Sequence, residues 1–122
     1  MKHLFIVVLL IINTSCQAQE NTNTQIMGIQ TLKTDVIGKD VQLVDVRTEK
    51  EYSQGHIDDA IHIGIADKEK FKAEIQKLDK TEPVYIYCHS GVRSHRASKI
   101  MNALGFTQVY DYKGGWSEWN QH

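Results

Sequence analysis

The residues Cys88-His89-Ser90-Gly91-Val92-Arg93-Ser94 combine the types and spacing needed for nucleophilic chemistry. They follow the apolar run Val84-Tyr85-Ile86-Tyr87 and precede a segment in which Ala97, Ile100, Met101 and Leu104 recur at helical spacing. A strand, a tight loop and a helix are expected, with the cysteine at the end of the strand. Helix N-termini present unpaired N–H groups and the positive end of the macrodipole. A thiol placed there ionises more readily and becomes nucleophilic near neutral pH. Gly91 supplies the backbone freedom, a positive φ, that turns successive amides toward one point. Cys88 is therefore read as an activated nucleophile, and His89 to Ser94 as an anion-binding cradle. A lone cysteine at a strand end is more often a small buried apolar residue. Here the glycine three positions on and the arginine five positions on favour chemistry.

Charge and composition narrow the rest. With 14 Lys and Arg against 15 Asp and Glu, the formal charge is −1, which excludes nucleic-acid binding by bulk attraction. Arg93, Arg96 and Lys99, with His89 and His95, nevertheless form a local basic island beginning at Cys88, which suits an anionic substrate. The 122 residues, 41% hydrophobic and with one proline, fit one globular domain. Two cysteines, Cys16 and Cys88, offer no disulfide framework. A zinc site from Cys88, His89 and His95 lacks a known ligand spacing and is set aside, so no metal is expected.

The elements that must position the nucleophile follow from pattern. Ile26 to Ile29 reads as a first strand, and Leu32, Val36 and Ile37 as a short helix ended by Gly38. Val41 to Val46 is nearly all apolar, as in a parallel strand covered on both faces. A helical turn is expected from Glu49 to Ser53, and a strand at Ile61-His62-Ile63. A helix capped by Asp67 should bury Phe71, Ile75 and Leu78. After the Cys88 loop and its helix, Gly105 is a stop, Gln108 to Tyr112 a last strand, and Gly114-Gly115 opens a helix carrying Trp116 and Trp119. Alternating strands and helices imply an α/β domain with a mostly parallel sheet, whose ligands sit beyond the strands' carboxyl ends.

Met1 to Ala18 reads as an export leader, with a basic start at Lys2 and His3 and an apolar run from Leu4 to Ile12 too short to span a bilayer. Two processing routes fit: cleavage after Ala18, or a lipid anchor through Cys16 behind Thr14-Ser15. Either places the protein outside the cytoplasm, in a bacterial periplasm or tethered to a membrane. Residues 19–25 read as a flexible tether and 26–120 as the folded domain.

Three groups of residues together resemble the rhodanese family. The first is Val44-Asp45-Val46-Arg47 with Glu51-Tyr52, Gly55-His56-Ile57 and Ala60-Ile61. The second is the Cys88 loop with Ser94 in its helix. The third is Gly105-Phe106, Val109, and Gly114-Gly115-Trp116 with Trp119. The resemblance implies a five-stranded, mostly parallel sheet flanked by helices on both faces. It also implies sulfurtransferase chemistry through a Cys88 persulfide, between a small anionic sulfur donor and a thiol or cyanide acceptor, with no cofactor; a monomer is expected, though no residue pattern speaks to oligomeric state. The backbone N–H groups of His89, Ser90, Gly91, Val92, Arg93 and Ser94 would bind the persulfide, with Arg93 adding charge for an anionic donor. Ser94 would cap the helix or donate to the persulfide. Asp45 and Arg47 are expected to tie the central strand to its loops, with Glu51 as a partner for Arg47, and His56 to fix its turn. His62 and His95 are expected at the surface, and His89 is left between solvent, anion contact and proton donor. Asp58-Asp59 stands where many relatives have Pro-Gly, and Glu51 where some thiosulfate-using relatives have arginine. Two alternatives remain: a non-enzymatic sulfur-carrier module, and a cysteine phosphatase. The second needs a longer loop than the four residues between Cys88 and Arg93.

Overall fold

A computed structural model describes residues 23–122, so the leader, both processing routes and the Cys16 anchor lie outside the described residues. Five strands, β1 (Thr24–Met27), β2 (Gln42–Asp45), β3 (Ile61–His62), β4 (Val84–Tyr87) and β5 (Val109–Tyr112), alternate with five helices. The helices are α1 (Ile29–Asp35), α2 (Glu49–Gln54), α3 (Lys68–Ile75), α4 (Val92–Ala103) and α5 (Gly115–Trp119). The strands form one sheet in the order β1-β5-β4-β2-β3, and every pairing is parallel.

Alternation along the strands divides the core into two layers. Val84, Ile86 and Cys88 pack on one face with Val44, Val46 and Val109, under Phe71 and Ile75 of α3 and Ala97 and Met101 of α4. Leu43, Tyr87 and Tyr112 pack on the other, with Leu32 of α1 and with Trp116 and Trp119 of α5. The nucleophile thus continues the inward row of its own strand toward α4.

The topology fixes where a ligand can sit. From β2 the chain moves outward to β3, and from β4 it moves the opposite way to β5. Connections diverge between the neighbouring strands β2 and β4, which opens a crevice beyond their carboxyl ends. Cys88 follows the last residue of β4 at that switch point.

Asp67 caps α3 as expected, accepting from the Lys70 N–H at 3.1 Å. β1 begins at Thr24, two residues before the expected strand and inside the expected tether, because pairing with β5 from Thr24↔Val109 onward outweighs its modest apolar content. Ile29, expected to end that strand, instead starts α1.

Candidate active site

The Cys88 loop takes its shape from Gly91, which caps α4 with φ +98, a left-handed value that side-chain-bearing residues rarely adopt. That turn aims the Gly91 N–H at the Cys88 sulfur, 3.1 Å away. The thiol also donates to Ser94 Oγ at 3.4 Å, and the Ser94 hydroxyl donates to the Gly91 carbonyl at 3.3 Å. Ser94 stands in the first turn of α4, fully buried, and its side chain faces the sulfur. No side-chain hydrogen bond caps this helix, so of its two expected roles the capping one is not taken.

Cys88 is only 1% exposed, and burial by itself pushes its pKa up. Hydrogen bonds from the Ser94 side chain and from the N–H groups of Ser94, Gly91 and Ser90 outweigh that penalty. The thiol is held below its ordinary value. His89, Ser90 and Val92 are exposed on the loop's outer side, Val92 at 71%. Ser90 also borders an open hollow of about 670 Å³ with Ile26, Lys113, Gly114 and Glu118; Cys88 does not line it.

Arg93, expected to add charge for an anionic donor, is already paired. Its Nη1 and Nη2 donate to Glu51 Oε1 and Oε2 at 2.6 and 3.0 Å, a two-pronged pair that joins α4 to α2. Glu51 is therefore the partner of Arg93 and not of Arg47. Glu51 is itself fixed by Thr48, whose side chain accepts from the Glu51 N–H while Glu51 accepts from the Thr48 N–H. The Thr48-x-x-Glu51 spacing is the capping-box signature, so the sequence did hold a sign that Glu51 would lie back over the start of α2. Arg93 holds Glu51 well below the carboxylate range, at about 2, against the opposing effect of burial and with help from Thr48.

Asp45 and Arg47 behave as a buried tie. Arg47 donates through Nε and Nη2 to the Asp45 carboxylate, closest at 2.6 Å, and through Nη2 to the Gly55 carbonyl at 2.6 Å. The two side chains are 0% and 2% exposed. His62, expected at the surface, is half-buried, its Nε2 2.6 Å from the Arg47 carbonyl and its ring stacked on Tyr52. His56 does fix its turn, with Nδ1 3.2 Å from the Tyr52 carbonyl, and His95 is exposed.

Two further groups bear on the site, the Gly114-Gly115-Trp116 motif at the start of α5 and an acid that carries no motif. The start of α5 clamps the loop: the Trp116 and Ser117 N–H groups donate to the Cys88 and His89 carbonyls at 2.8 and 3.0 Å. This close approach requires Gly115, at φ +61, where a Cβ would stand 2.5 Å from the Cys88 carbonyl oxygen. The other is Asp111, buried in β5. Its only sequence signal is an acid between tyrosines in a strand that is otherwise apolar and aromatic.

A sequence profile described as a rhodanese-like domain matches residues 29–122. The thiosulfate sulfurtransferase GlpE of Coxiella burnetii is 32% identical over 84 residues, covering 69% of this chain and 76% of its own. A rhodanese-like domain protein from Staphylococcus aureus superposes with TM-score 0.68 at 30% identity, over 78% of this chain and 90% of that one. The human single-domain sulfurtransferase TSTD1 has the same fold, with TM-score 0.68 at 23% identity, over 79% of this chain and 95% of its own.

Proposed function

Because the chain belongs to the rhodanese-like domain family, we propose that it is a sulfurtransferase that carries sulfane sulfur on Cys88 as a persulfide. The observation that carries this reading is the Gly91 N–H held 3.1 Å from a sulfur whose pKa is lowered by the surrounding amides and Ser94.

The thiolate attacks the outer sulfur of a thiosulfate-like or persulfide donor. The donor's sulfur–sulfur bond breaks, and its electron pair leaves with sulfite or with the donor's thiolate. Cys88 then bears a second sulfur whose negative charge falls to the loop amides from His89 to Ser94 and the N-terminus of α4. A thiol or cyanide acceptor attacks that outer sulfur, and the electron pair of the broken bond returns to Cys88. Asp45 and Arg47 hold the neighbouring strand end and take no part in bond making. The loop is short and its arginine, Arg93, is already tied to Glu51, which disfavours phosphatase chemistry.

Whole-protein mass spectrometry tests the reading. After exposure to thiosulfate or a small persulfide, the wild type should gain one sulfur atom and Cys88→Ser none, with thiocyanate formed when cyanide is added. A wild type that takes sulfur only from a persulfidated protein partner would replace the enzyme with a carrier module. One that takes none, while releasing phosphate from an aryl phosphate, would overturn both. Read as an export leader, Met1 to Ala18 supports a setting outside the cytoplasm for this chemistry. Protease accessibility in spheroplasts, and fatty-acid labelling of the wild type beside Cys16→Ser, test the location and the anchor.

A further inference from the structure

The basic island that begins at Cys88 is only partly engaged by the site. Arg93 is held by Glu51, whereas Arg96, Lys99 and Lys68 of α3 take part in none of the ion pairs among the described residues. These three cations stand around one hollow of about 270 Å³, whose other lining residues are Ile65 and Ile100. Ile65 is buried and Ile100 half-buried, so the hollow has an apolar floor and a cationic rim. No acid lines it, and α4 contains no Asp or Glu. The acids next to Lys68 are turned to other partners: Asp67 accepts from the Lys70 N–H, and Glu69 pairs with Lys72.

Spacing carries this surface to the reactive loop. Val92, Arg96 and Ile100 recur at i, i+4 and i+8, with Lys99 at i+7, so they share one face of α4. Val92 is 71% exposed and directly follows Gly91, whose N–H meets the Cys88 sulfur. At 1.5 Å per residue the stripe is about 12 Å long. It is apolar at both ends and cationic along its length. Its complement is a polypeptide with an apolar side chain set among acids. A free anion would leave Val92 and the floor of the hollow uncovered. A bilayer would cover them but brings no thiol to the loop where the stripe begins.

We propose that this face of α4, with Lys68 and Ile65, docks an acidic polypeptide that carries the sulfur acceptor, a cysteine, to Cys88. The inference rests on the sulfurtransferase reading and names its acceptor class. An apolar side chain of the partner fills the hollow, its acids meet Lys68, Arg96 and Lys99, and its cysteine reaches past Val92. That cysteine's thiolate attacks the outer sulfur of the Cys88 persulfide. A sulfur–sulfur bond forms on the partner, the bond to Cys88 breaks, and its electron pair returns to Cys88. The cations speed encounter and set orientation, an effect that salt screens.

The probe is a synthetic peptide with a leucine flanked by glutamates and a cysteine about five residues away, a reach of about 17 Å when extended. A second peptide has lysines for the glutamates. Mass spectrometry follows sulfur transfer from the persulfidated full chain to each, and fluorescence anisotropy follows binding of the same peptides with serine for cysteine. The wild type should favour the glutamate peptide by about tenfold in KM at low salt, and the preference should collapse near about 0.5 M salt. Arg96→Glu with Lys99→Glu, both exposed, should abolish the preference while cyanide discharges Cys88 at the wild-type rate. Lys33→Glu with Lys39→Glu makes the same charge change at exposed positions on and beyond α1, and should leave the preference intact. Equal use of the two peptides by the wild type, or the same loss in both double variants, overturns the docking surface. So does binding to phosphatidylglycerol vesicles that the α4 variant loses while it keeps the peptide, which would give the face to a membrane. Glutamate-peptide binding lost only in the α4 variant, without sulfur uptake by the wild type, would sink the sulfurtransferase reading and keep the surface. Sulfur transfer to cyanide with no preference between peptides would do the reverse.

Discussion

At the carboxyl end of β2, Asp45 and Arg47 form a polar cluster in which both carboxylate oxygens are matched. The guanidinium meets both carboxylate oxygens and the Gly55 carbonyl and lies 4.9 Å from the Trp116 ring, while the Arg47 N–H donates to Asp45. At the ends of β4 and β5, Cys88, Ser94 and Asp111 are just as buried but incompletely matched. One carboxyl oxygen has no partner, and the Ser94 hydroxyl is shared between the Cys88 sulfur and the Gly91 carbonyl. A fully satisfied network has one low-energy arrangement and fixes architecture. An incompletely satisfied one has several of similar energy, which is what a thiol needs if it is to lose, regain and exchange charge.

The comparison breaks most visibly at Arg47. Arg47→Ala leaves the Asp45 charge buried and alone, and should lower stability by about 3–5 kcal/mol in urea unfolding. Adding Asp45→Asn should restore much of that loss. If the single variant unfolds like the wild type, the β2 cluster is not the fixed one. Next in size is Gly115→Ala, where a positive φ and the nearby Cys88 and His89 carbonyls make strain of about 1–3 kcal/mol. It should also slow Cys88 alkylation at pH 7, because the loop must shift; an unchanged rate would show that the α5 clamp does not set the nucleophile's geometry.

The smallest effect belongs to Glu51→Gln, which turns a partly exposed ion pair into a neutral contact worth about 0.2–1 kcal/mol less. Its pH dependence sharpens the contrast. Arg93 keeps Glu51 ionised down to about 2, so the pair's contribution is whole above the ordinary carboxylate range and fades as pH falls toward about 2. The urea midpoints of wild type and variant should converge across that acid window. A gap that persists below it would mean that packing, and not charge, joins α2 to α4.

The strand–loop–helix around Cys88 was legible because it is local. An apolar run, a glycine and a helical repeat lie within 21 residues, Val84 to Leu104, and Gly91 takes the positive φ its type suggests. The parallel α/β sheet was legible for the same reason, from apolar runs alternating with helical spacing. What escaped depends on distant parts of the chain meeting. Arg93 finds Glu51 across 42 residues only because α2 and α4 flank the same crevice. His62 is drawn from the surface by the Arg47 carbonyl, and Asp111 becomes buried because β5 lies between β1 and β4. Pairing likewise decides where β1 starts, and composition carries no record of pairing.

The two hydrogen bonds from Trp116 and Ser117 to the reactive loop have a consequence for how the protein would lose competence. A five-residue helix opens far more readily than a central strand, and hydrogen exchange reports such local opening one amide at a time. Deuterium uptake at these two positions therefore gauges the integrity of the thiol's surroundings. On gentle warming it should rise, in step with fading reactivity, while the amides of Val84 to Tyr87 stay protected.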